Sequence, residues 1–276
     1  MRIASLQPSV SIVLERLGCL DELVACTRYC LAAVPALRER KLAVVRDSWS
    51  TTVEELIAAR PEIVIASVPY RNESLAAILK AGVAVLALAP HSLKDVEQDI
   101  RLIAAIAGAP ERGEQVVAGM RSEIEEVRQR VARVRARPLV YCEEWGKPLI
   151  HSQLWVKELV EAAGGVFVGE PGSVTQAEAV AEADPEVVIA AWCGAGDRVP
   201  LKKLAGRPGW AAMRAVRDGR VYCVADELLN TPAPTLVEGL RALAEVLHPE
   251  IFGTEEPGTN GEICRMNGNR TGVRRV

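Results

Sequence analysis

Residues 111–135 read ERGEQVVAGMRSEIEEVRQRVARVR and predict one long helix. Pro110 stands just before it, where a missing N–H costs nothing, and Pro138 ends it. At 1.5 Å per residue, about 25 residues span roughly 37 Å. The apolar residues recur every three or four positions and form one stripe, namely Val117, Met120, Ile124, Val127, Val131 and Val134. The pattern fits a strut between two lobes, and also a long surface helix of one domain.

A repeat on either side of this helix favours the strut. Residues 51–67 read TTVEELIAARPEIVIAS, and residues 175–191, which begin 124 positions later, read TQAEAVAEADPEVVIAA. Each copy predicts a short helix, a proline stop and a strand that is apolar at every position. Such a strand is buried on both faces, as in a parallel sheet covered by helices. We therefore expect an α/β unit on each side, through duplication or because both share a common architecture.

The predicted fold class is α/β, with two Rossmann-like parallel-sheet lobes joined by one long rigid helix. We expect an N-terminal lobe at residues 1–109, the connecting helix at residues 110–137 and a C-terminal lobe at residues 138–249. Residues 250–276 lack periodicity and are rich in polar residues and glycine, which predicts a disordered tail. Ligands bind at the carboxyl edge of open α/β sheets, so lobes facing each other across the helix would line one cleft.

Composition excludes several classes of partner. The net charge of −3 gives no electrostatic case for nucleic acid or an anionic membrane. No apolar run approaches the roughly 18–20 residues needed to span a bilayer. The 7 cysteines form no CxxC pattern and favour a reducing compartment. Because MRIASL runs directly into a strand, we expect a cytoplasmic protein as the chain stands, or a periplasmic or cell-surface one if the start is truncated.

Catalytic motifs are missing from the sequence. It contains no GxSxG, no P-loop, no GxGxxG after a strand and no HExxH. Glu143 and Glu144 are neighbours on a predicted strand, so they point to opposite faces and do not share a proton. Cys30 and Cys193 end strands of different lobes and are suited to a soft metal, but a small residue at a strand end is the simpler interpretation. We predict no enzyme, no catalytic residue and no metal site.

Aromatic side chains fall at or near the predicted strand ends. A wide, flat and largely apolar ligand would need such walls, with a few polar groups to orient it. The candidates are Tyr29, Trp49, Tyr70, Trp145, Trp155 and Trp192. Local packing is the alternative for each of them. Asp226 and Asn230 lie in the loop before the last helix and are candidates for polar ligand contacts, with loop capping as the alternative.

Several stretches together resemble one family. The stretch IASLQPSVSIVLERLG matches a first strand, a Pro-Ser turn and a helix, VACTRYC a second strand, and VEELIAARPEIVIA a helix–Pro–strand unit. The stretches VYCEEWGKPLI, WVKELVEAAGG and PGWAAMRAVRDGRVYCV resemble a cobalamin-type branch, and NTPAPTLVEGLRALAEVLHP a closing loop and helix. The family is the periplasmic substrate-binding proteins of iron–siderophore and cobalamin ABC importers. The resemblance covers about residues 2–249.

This resemblance implies a monomeric substrate-binding protein that captures a corrinoid between its lobes and carries no covalently bound cofactor. Its partners would be that ligand and an ABC permease, with no nucleic acid. Tyr70, Trp145 and Trp192 match the family's aromatic cleft positions, and Arg71 lies beside the first of them. Glu73 is the candidate for permease docking on the N-terminal lobe.

The sequence also departs from the family. No confident docking counterpart appears on the C-terminal lobe, and Thr235 stands where many relatives have arginine. An iron–siderophore binder is the first alternative, but it calls for a basic pocket, and the nearby cations are only Arg28, Arg71 and Lys147. A cytoplasmic tetrapyrrole- or metal-handling enzyme on a related fold is the second.

Overall fold

The computed structural model describes residues 1–47, 50–253, 265–266, 269–270 and 273–275. The chain divides into two compact units. Unit 1 comprises Met1–Met120 and Pro232–Pro234, and unit 2 comprises Arg121–Thr231 and Thr235–Val276. Each unit contains a sheet with parallel strands flanked by helices, so the predicted α/β class is confirmed.

Unit 1 is built on a five-stranded parallel sheet in the order β3-β2-β1-β4-β5. Its strands are β1 (Ile3–Ser5), β2 (Leu23–Thr27), β3 (Ala43–Val45), β4 (Ile63–Ser67) and β5 (Ala84–Leu88). Its helices are α1 (Pro8–Arg16), α2 (Arg28–Ala33), α3 (Val53–Ala58), α4 (Asn72–Lys80) and α5 (Leu93–Ile106), with 3₁₀ turns at Leu20–Glu22 and Pro35–Glu39. The strand order reverses between β1 and β4, which is where open α/β sheets bind ligands.

Unit 2 contains a mixed sheet in the order β14-β11-β10-β6-β7-β9, and β8 also pairs with β6. Its strands are β6 (Leu139–Gly146), β7 (Leu149–His151), β8 (Val166–Phe167), β9 (Val174–Thr175), β10 (Val187–Ala190), β11 (Val221–Val224) and β14 (Val273–Arg275). β8, β6, β10 and β11 run parallel, whereas β7 pairs antiparallel with β6. The switch in strand order therefore falls between β6 and β10.

The helices of unit 2 cover this sheet. They are α7 (Leu154–Ala162), α8 (Ala177–Ala183), α9 (Leu201–Ala205), α10 (Arg214–Arg217), α11 (Asp226–Leu229), α12 (Leu236–Leu247) and α13 (Pro249–Phe252), with a 3₁₀ turn at Trp210–Ala212. One core cluster gathers around the fully buried Tyr141 and Trp210, together with Val188 of β10 and Val221 of β11. Apolar burial of this kind is the main favourable term in forming the unit.

The long helix α6 runs over Pro110–Val131, so the sequence placed its end four residues too late at residue 135. The α-helix ends early because the hydrogen bonds of the chain change to a tighter pattern after its last turn. Ala132 N–H donates to Gln129 O and Val134 N–H to Val131 O, bonds that span three residues instead of four. The predicted apolar stripe is buried from Val117 to Val131. None of the described helices is long and apolar enough to cross a bilayer.

The predicted tail at residues 250–276 lies mostly outside the described residues. Among the described residues of this segment, α13 extends to Phe252, and β14 pairs antiparallel with β11. Arg275 also donates through Nε to Gly219 O at 2.5 Å. Edge pairing of this kind gives the exposed backbone of β11 a partner. The short strands β12 (Arg265–Met266) and β13 (Asn269–Arg270) pair with each other.

The repeated sequence forms the same local structure in both units. Arg60 and Asp184 occupy equivalent positions before the Pro-Glu pair, and both have positive φ, 51° and 44°. The glutamates that follow act alike. Glu62 accepts from the N–H of Arg2 at 2.6 Å, and Glu186 accepts from the N–H of Leu139 at 2.9 Å. Each carboxylate therefore holds the beginning of its unit's central strand.

Arg60 and Asp184 are expected to respond in opposite ways to replacement by glycine. Arg60→Gly should raise the free energy of unfolding by roughly 0.5–1 kcal/mol, because glycine adopts positive φ without steric cost. Asp184→Gly should lower it, because the Asp184 carboxylate accepts from Arg214 N and Nε, both at 2.8 Å. Urea unfolding followed by circular dichroism measures both. A shift of both variants in the same direction would contradict this account.

Candidate ligand-binding site

Two predicted tryptophans lie at the carboxyl edge of β6 and β10 in unit 2. Trp145 is 43% exposed, and its Nε1 donates to Lys147 O at 2.8 Å. Trp192 is partly buried against the core of the unit, and its Nε1 donates to Glu143 Oε1 at 2.8 Å. Both indoles thus have a satisfied N–H and a ring that is partly open to solvent. They stand where the strand order reverses, which suits a ligand-binding edge.

The carboxylate of Glu143 organises this edge, although its side chain is fully buried. Arg207 binds it through two bonds, from Nη1 to Oε2 at 2.5 Å and from Nη2 to Oε1 at 2.8 Å. Tyr141 donates its hydroxyl to Oε2 at 2.8 Å, and Trp192 donates to Oε1. A buried charge is tolerated when it is both paired and hydrogen-bonded. Glu143 meets both conditions.

Aromatic rings surround this ion pair and keep their neutral forms. The ring of Tyr141 meets the rings of His151 and Trp210 edge-on, with centroids 5.2 Å and 5.9 Å away. Burial, followed by the charge of Glu143, raises the pKa of the Tyr141 phenol, so its hydroxyl stays a donor. Burial also lowers the pKa of His151. The Arg207 guanidinium lies 4.7 Å from the centroid of the Trp210 ring, a cation–π contact.

Glu144 points to a different group of partners from its neighbour Glu143. Its carboxylate accepts from Gln153 Nε2 at 2.7 Å and from Cys193 Sγ at 3.7 Å. Burial raises the pKa of Glu144, and burial followed by the charge of Glu144 raises the pKa of Cys193 to about 12. Cys193 is therefore a neutral thiol at physiological pH. The two adjacent carboxylates have different partners, as expected for neighbours on a strand.

Asp226 and Asn230 both support the loop that follows β10. Asp226 accepts from the N–H groups of Gly194 at 2.7 Å and Gly196 at 2.8 Å, and both glycines have positive φ. The predicted ligand contact at Asp226 is thus, in the described structure, a loop cap. Asn230 Nδ2 donates to Ala191 O, but its Oδ1 is buried and has no hydrogen-bond partner among the described residues. Asn230 therefore holds the loop and keeps one acceptor unused.

Trp155 was placed wrongly among the aromatic walls. It lies in the first turn of α7, is 4% exposed, and donates from Nε1 to Leu229 O at 2.7 Å. Its indole is core, because α7 packs on α12 and turns this position inward. Trp49 lies outside the described residues.

The candidates of unit 1 lie near the carboxyl edge of its sheet. Tyr29 is 45% exposed in the first turn of α2, and its hydroxyl accepts from Arg28 Nη2 at 2.9 Å. Tyr70 follows β4 after the cis peptide Val68–Pro69 and packs partly on the core of unit 1. Arg71 is exposed at the start of α4, 3.9 Å from the carboxylate of Glu73.

Cys30, weighed in the sequence as half of a metal pair, is buried in unit 1. Its Sγ lies 3.3 Å from Thr27 Oγ1 and 3.6 Å from Ser5 Oγ. This is a small polar contact inside the core. No group of three or more metal-binding side chains occurs within the described ranges.

The pairing of Glu143 with Arg207 was not predicted from the sequence. The available signal was Glu143 itself, a glutamate that directly follows the apolar run at residues 139–142 in the same strand. Its partner lies 64 residues further along, so spacing alone does not connect them. The role of Gly146 was not predicted either, because it depends on a contact with a residue far away in the chain. A Cβ at Gly146 would approach Trp192 Cζ2 to 2.5 Å.

Comparison with known proteins identifies the family. The sequence profile of the periplasmic binding proteins matches residues 3–228. The chain belongs to the periplasmic binding protein family. It is therefore a binding protein and not an enzyme, and the resemblance read from the sequence is confirmed. The alternative of a metal-handling enzyme is excluded.

Relatives of known name differ in what they bind. A Bacillus subtilis protein described as an uncharacterized ABC transporter substrate-binding lipoprotein, YvrC, is 26% identical over 263 residues, covering 91% of this chain and 81% of the relative. The cobalamin-binding protein of Halobacterium salinarum is 24% identical over 258 residues, covering 90% and 69%. The apo periplasmic heme-binding protein RhuT from Roseiflexus sp. RS-1 is 25% identical, with a TM-score of 0.78 and coverage of 90% and 98%.

Proposed function

We propose that this periplasmic binding protein is the substrate-binding component of an ABC importer, and that its ligand is a corrinoid. The single observation that supports the corrinoid most is the pair Trp145 and Trp192 at the β6–β10 edge of unit 2. Both rings are partly exposed, and both N–H groups are already satisfied. Such rings offer apolar faces and leave no indole N–H without a hydrogen-bond acceptor, which suits a wide, flat macrocycle.

Polar groups beside the two indoles suit the rim of a corrin ring, which carries amide side chains. Asn230 Oδ1 is a buried acceptor with no partner in the described part of the chain. After a side-chain movement that exposes this oxygen, an amide N–H of the ligand would satisfy it and so offset a desolvation cost that the free protein carries. The carboxyl group of Glu144 is a second polar group at this edge, close to Cys193. We propose Asn230 as the main orienting contact.

Three candidates of unit 1, Tyr29, Tyr70 and Arg71, stay in the proposal because they stand at the carboxyl edge of the sheet of that unit. Trp49, outside the described residues, stays in the proposal from the sequence. Glu73 is proposed as the docking residue for the permease, because its side chain is 80% exposed at the start of α4. A permease has to be met outside the cytoplasm, so we place the protein in the periplasm or on the cell surface.

A titration with three ligand classes tests the proposed function. Purified protein is titrated with cyanocobalamin, hemin and a ferric siderophore, following tryptophan fluorescence and heat. We expect saturable 1:1 binding of cyanocobalamin at micromolar concentration or tighter, and Trp145→Ala should weaken it about tenfold, or about 1.4 kcal/mol. Trp155→Phe is the matched control, because it removes a buried indole, and it should change the affinity less than about twofold.

Two outcomes would refute the corrinoid proposal. One is the lack of cyanocobalamin binding at millimolar concentration, and the other is tighter binding of the siderophore or of hemin. A specific observation makes haem the second candidate, because Tyr29 is exposed and its hydroxyl accepts from Arg28. Tyrosine oxygen is a known haem-iron ligand, and the guanidinium would offset its negative charge. If hemin binds more tightly, Tyr29→Phe should abolish that binding and its change in the haem absorption spectrum.

A further inference from the structure

Trp192 is held by several contacts within unit 2. Its indole N–H donates to Glu143 Oε1 at 2.8 Å. The part of the ring next to that N–H lies against the backbone of β6, where a Cβ on Gly146 would come within 2.5 Å of Cζ2 and 2.9 Å of Cη2. The ring also packs on the core cluster of the unit. A tryptophan that is partly exposed yet fixed in this way has lost most of its rotamer freedom before any ligand binds.

The acceptor that fixes the indole is itself oriented. Two parallel N–H bonds from Arg207 and one O–H bond from Tyr141 occupy the Glu143 carboxylate, and the indole N–H is the fourth donor among the described residues. Bidentate guanidinium–carboxylate pairs have a defined geometry. Arg207 is in turn held over the ring of Trp210. The direction of the bond to Trp192 is therefore set by groups that do not depend on a ligand.

Packing alone does not require a charge at this place. A buried ion pair usually stabilises a fold no more than apolar residues of the same volume do, because both charges must be desolvated. What the pair does supply is a directed acceptor for an indole at the rim of the core. Preorganised groups of this kind raise affinity because fewer side chains have to be ordered on binding.

We propose that Glu143 is a positioning residue, which together with Arg207 fixes the indole of Trp192 in one orientation for stacking against a flat ligand. The inference rests on the proposed function, because it assigns a role at the same binding edge. Gly146 is the third residue of this arrangement, because the lack of a Cβ there leaves room for the Trp192 ring. Loss of Glu143 or addition of a Cβ at Gly146 should free or displace the same indole.

The orientation of the indole is testable without any ligand. The full chain is labelled with 5-fluorotryptophan, and the Trp192 fluorine resonance is identified by its loss in Trp192→Phe. We expect the Trp192 resonance to be single and narrow in the unaltered protein. It should be shifted or broadened in Glu143→Gln and in Gly146→Ala. Gly119→Ala is the matched control, because a Cβ there meets nothing within 4 Å, and it should leave the resonance unchanged. A Trp192 resonance that is unchanged in Gly146→Ala would overturn the proposal, even if Glu143→Gln failed to fold.

Cyanocobalamin affinity then tests whether Glu143 acts through the indole. Glu143→Gln should weaken binding about tenfold when Trp192 is present. The same substitution should weaken binding less than about twofold when Trp192 is already phenylalanine. An equal loss in both backgrounds would overturn the proposal, because Glu143 would then act through the fold. If the unaltered protein does not bind cyanocobalamin, the corrinoid function fails, and the fluorine spectra still decide whether Glu143 positions Trp192.

Discussion

Replacement of Arg207 by methionine is expected to lower the free energy of unfolding by about 3–5 kcal/mol. The change leaves the Glu143 carboxylate, which is fully buried, without its cation and without two of its hydrogen bonds. Removing one partner of a buried pair costs far more than the pair contributes in net terms, because the remaining charge stays desolvated. Urea unfolding followed by circular dichroism measures the loss.

Two further variants separate this effect from a general loss of positive charge. Arg217→Met removes an exposed arginine of α10 in the same unit and should change the stability by less than about 0.5 kcal/mol. The double variant Glu143→Met with Arg207→Met should recover part of the loss, because no unpaired charge remains. A loss below about 1 kcal/mol for Arg207→Met alone would contradict the described pairing.

Removal of the Trp192 indole is expected to have the largest effect on ligand binding. Trp192→Ala should weaken cyanocobalamin binding by about 30-fold or more, which corresponds to about 2 kcal/mol, the usual threshold of an interface hot spot. The reason is that this ring combines partial exposure with fixed orientation, so it contributes contact area without an ordering cost. Most of the change should appear as faster dissociation in stopped-flow measurements.

Trp192→Phe provides the graded comparison. Phenylalanine keeps an aromatic face but lacks the N–H that reaches Glu143, so its affinity should fall between those of the unaltered protein and Trp192→Ala. A change of less than about twofold for Trp192→Ala would mean that the ligand does not contact this indole.

The sequence predicted those features that depend on local pattern. The apolar runs after Pro61 and Pro185 became β4 and β10, because strands that are apolar at every position are buried in parallel sheets. Trp145 and Trp192 were expected at the carboxyl edge of their strands, and chain direction alone decides that. The helix end was missed by four residues, because its final bonds tighten and no residue type marks that change.

Features that depend on tertiary contacts were not predictable in this way. Trp155 lies next to a strand end in sequence, yet the packing of α7 on α12 buries it. Asp226 is a residue type that often contacts ligands, but its carboxylate accepts hydrogen bonds from two loop amides. The pairing of Glu143 with Arg207 joins residues far apart in the chain. In each case the side chain's role is set by neighbours that only the fold brings together.

The most direct test is a crystal structure of the full chain with cyanocobalamin. We expect a corrin ring in van der Waals contact with the indoles of Trp145 and Trp192, and a bond from Trp192 Nε1 to Glu143 that is the same as in the free protein. A corrinoid bound away from both indoles would contradict the assigned site. Crystals that contain no corrinoid at millimolar ligand would contradict the assigned ligand.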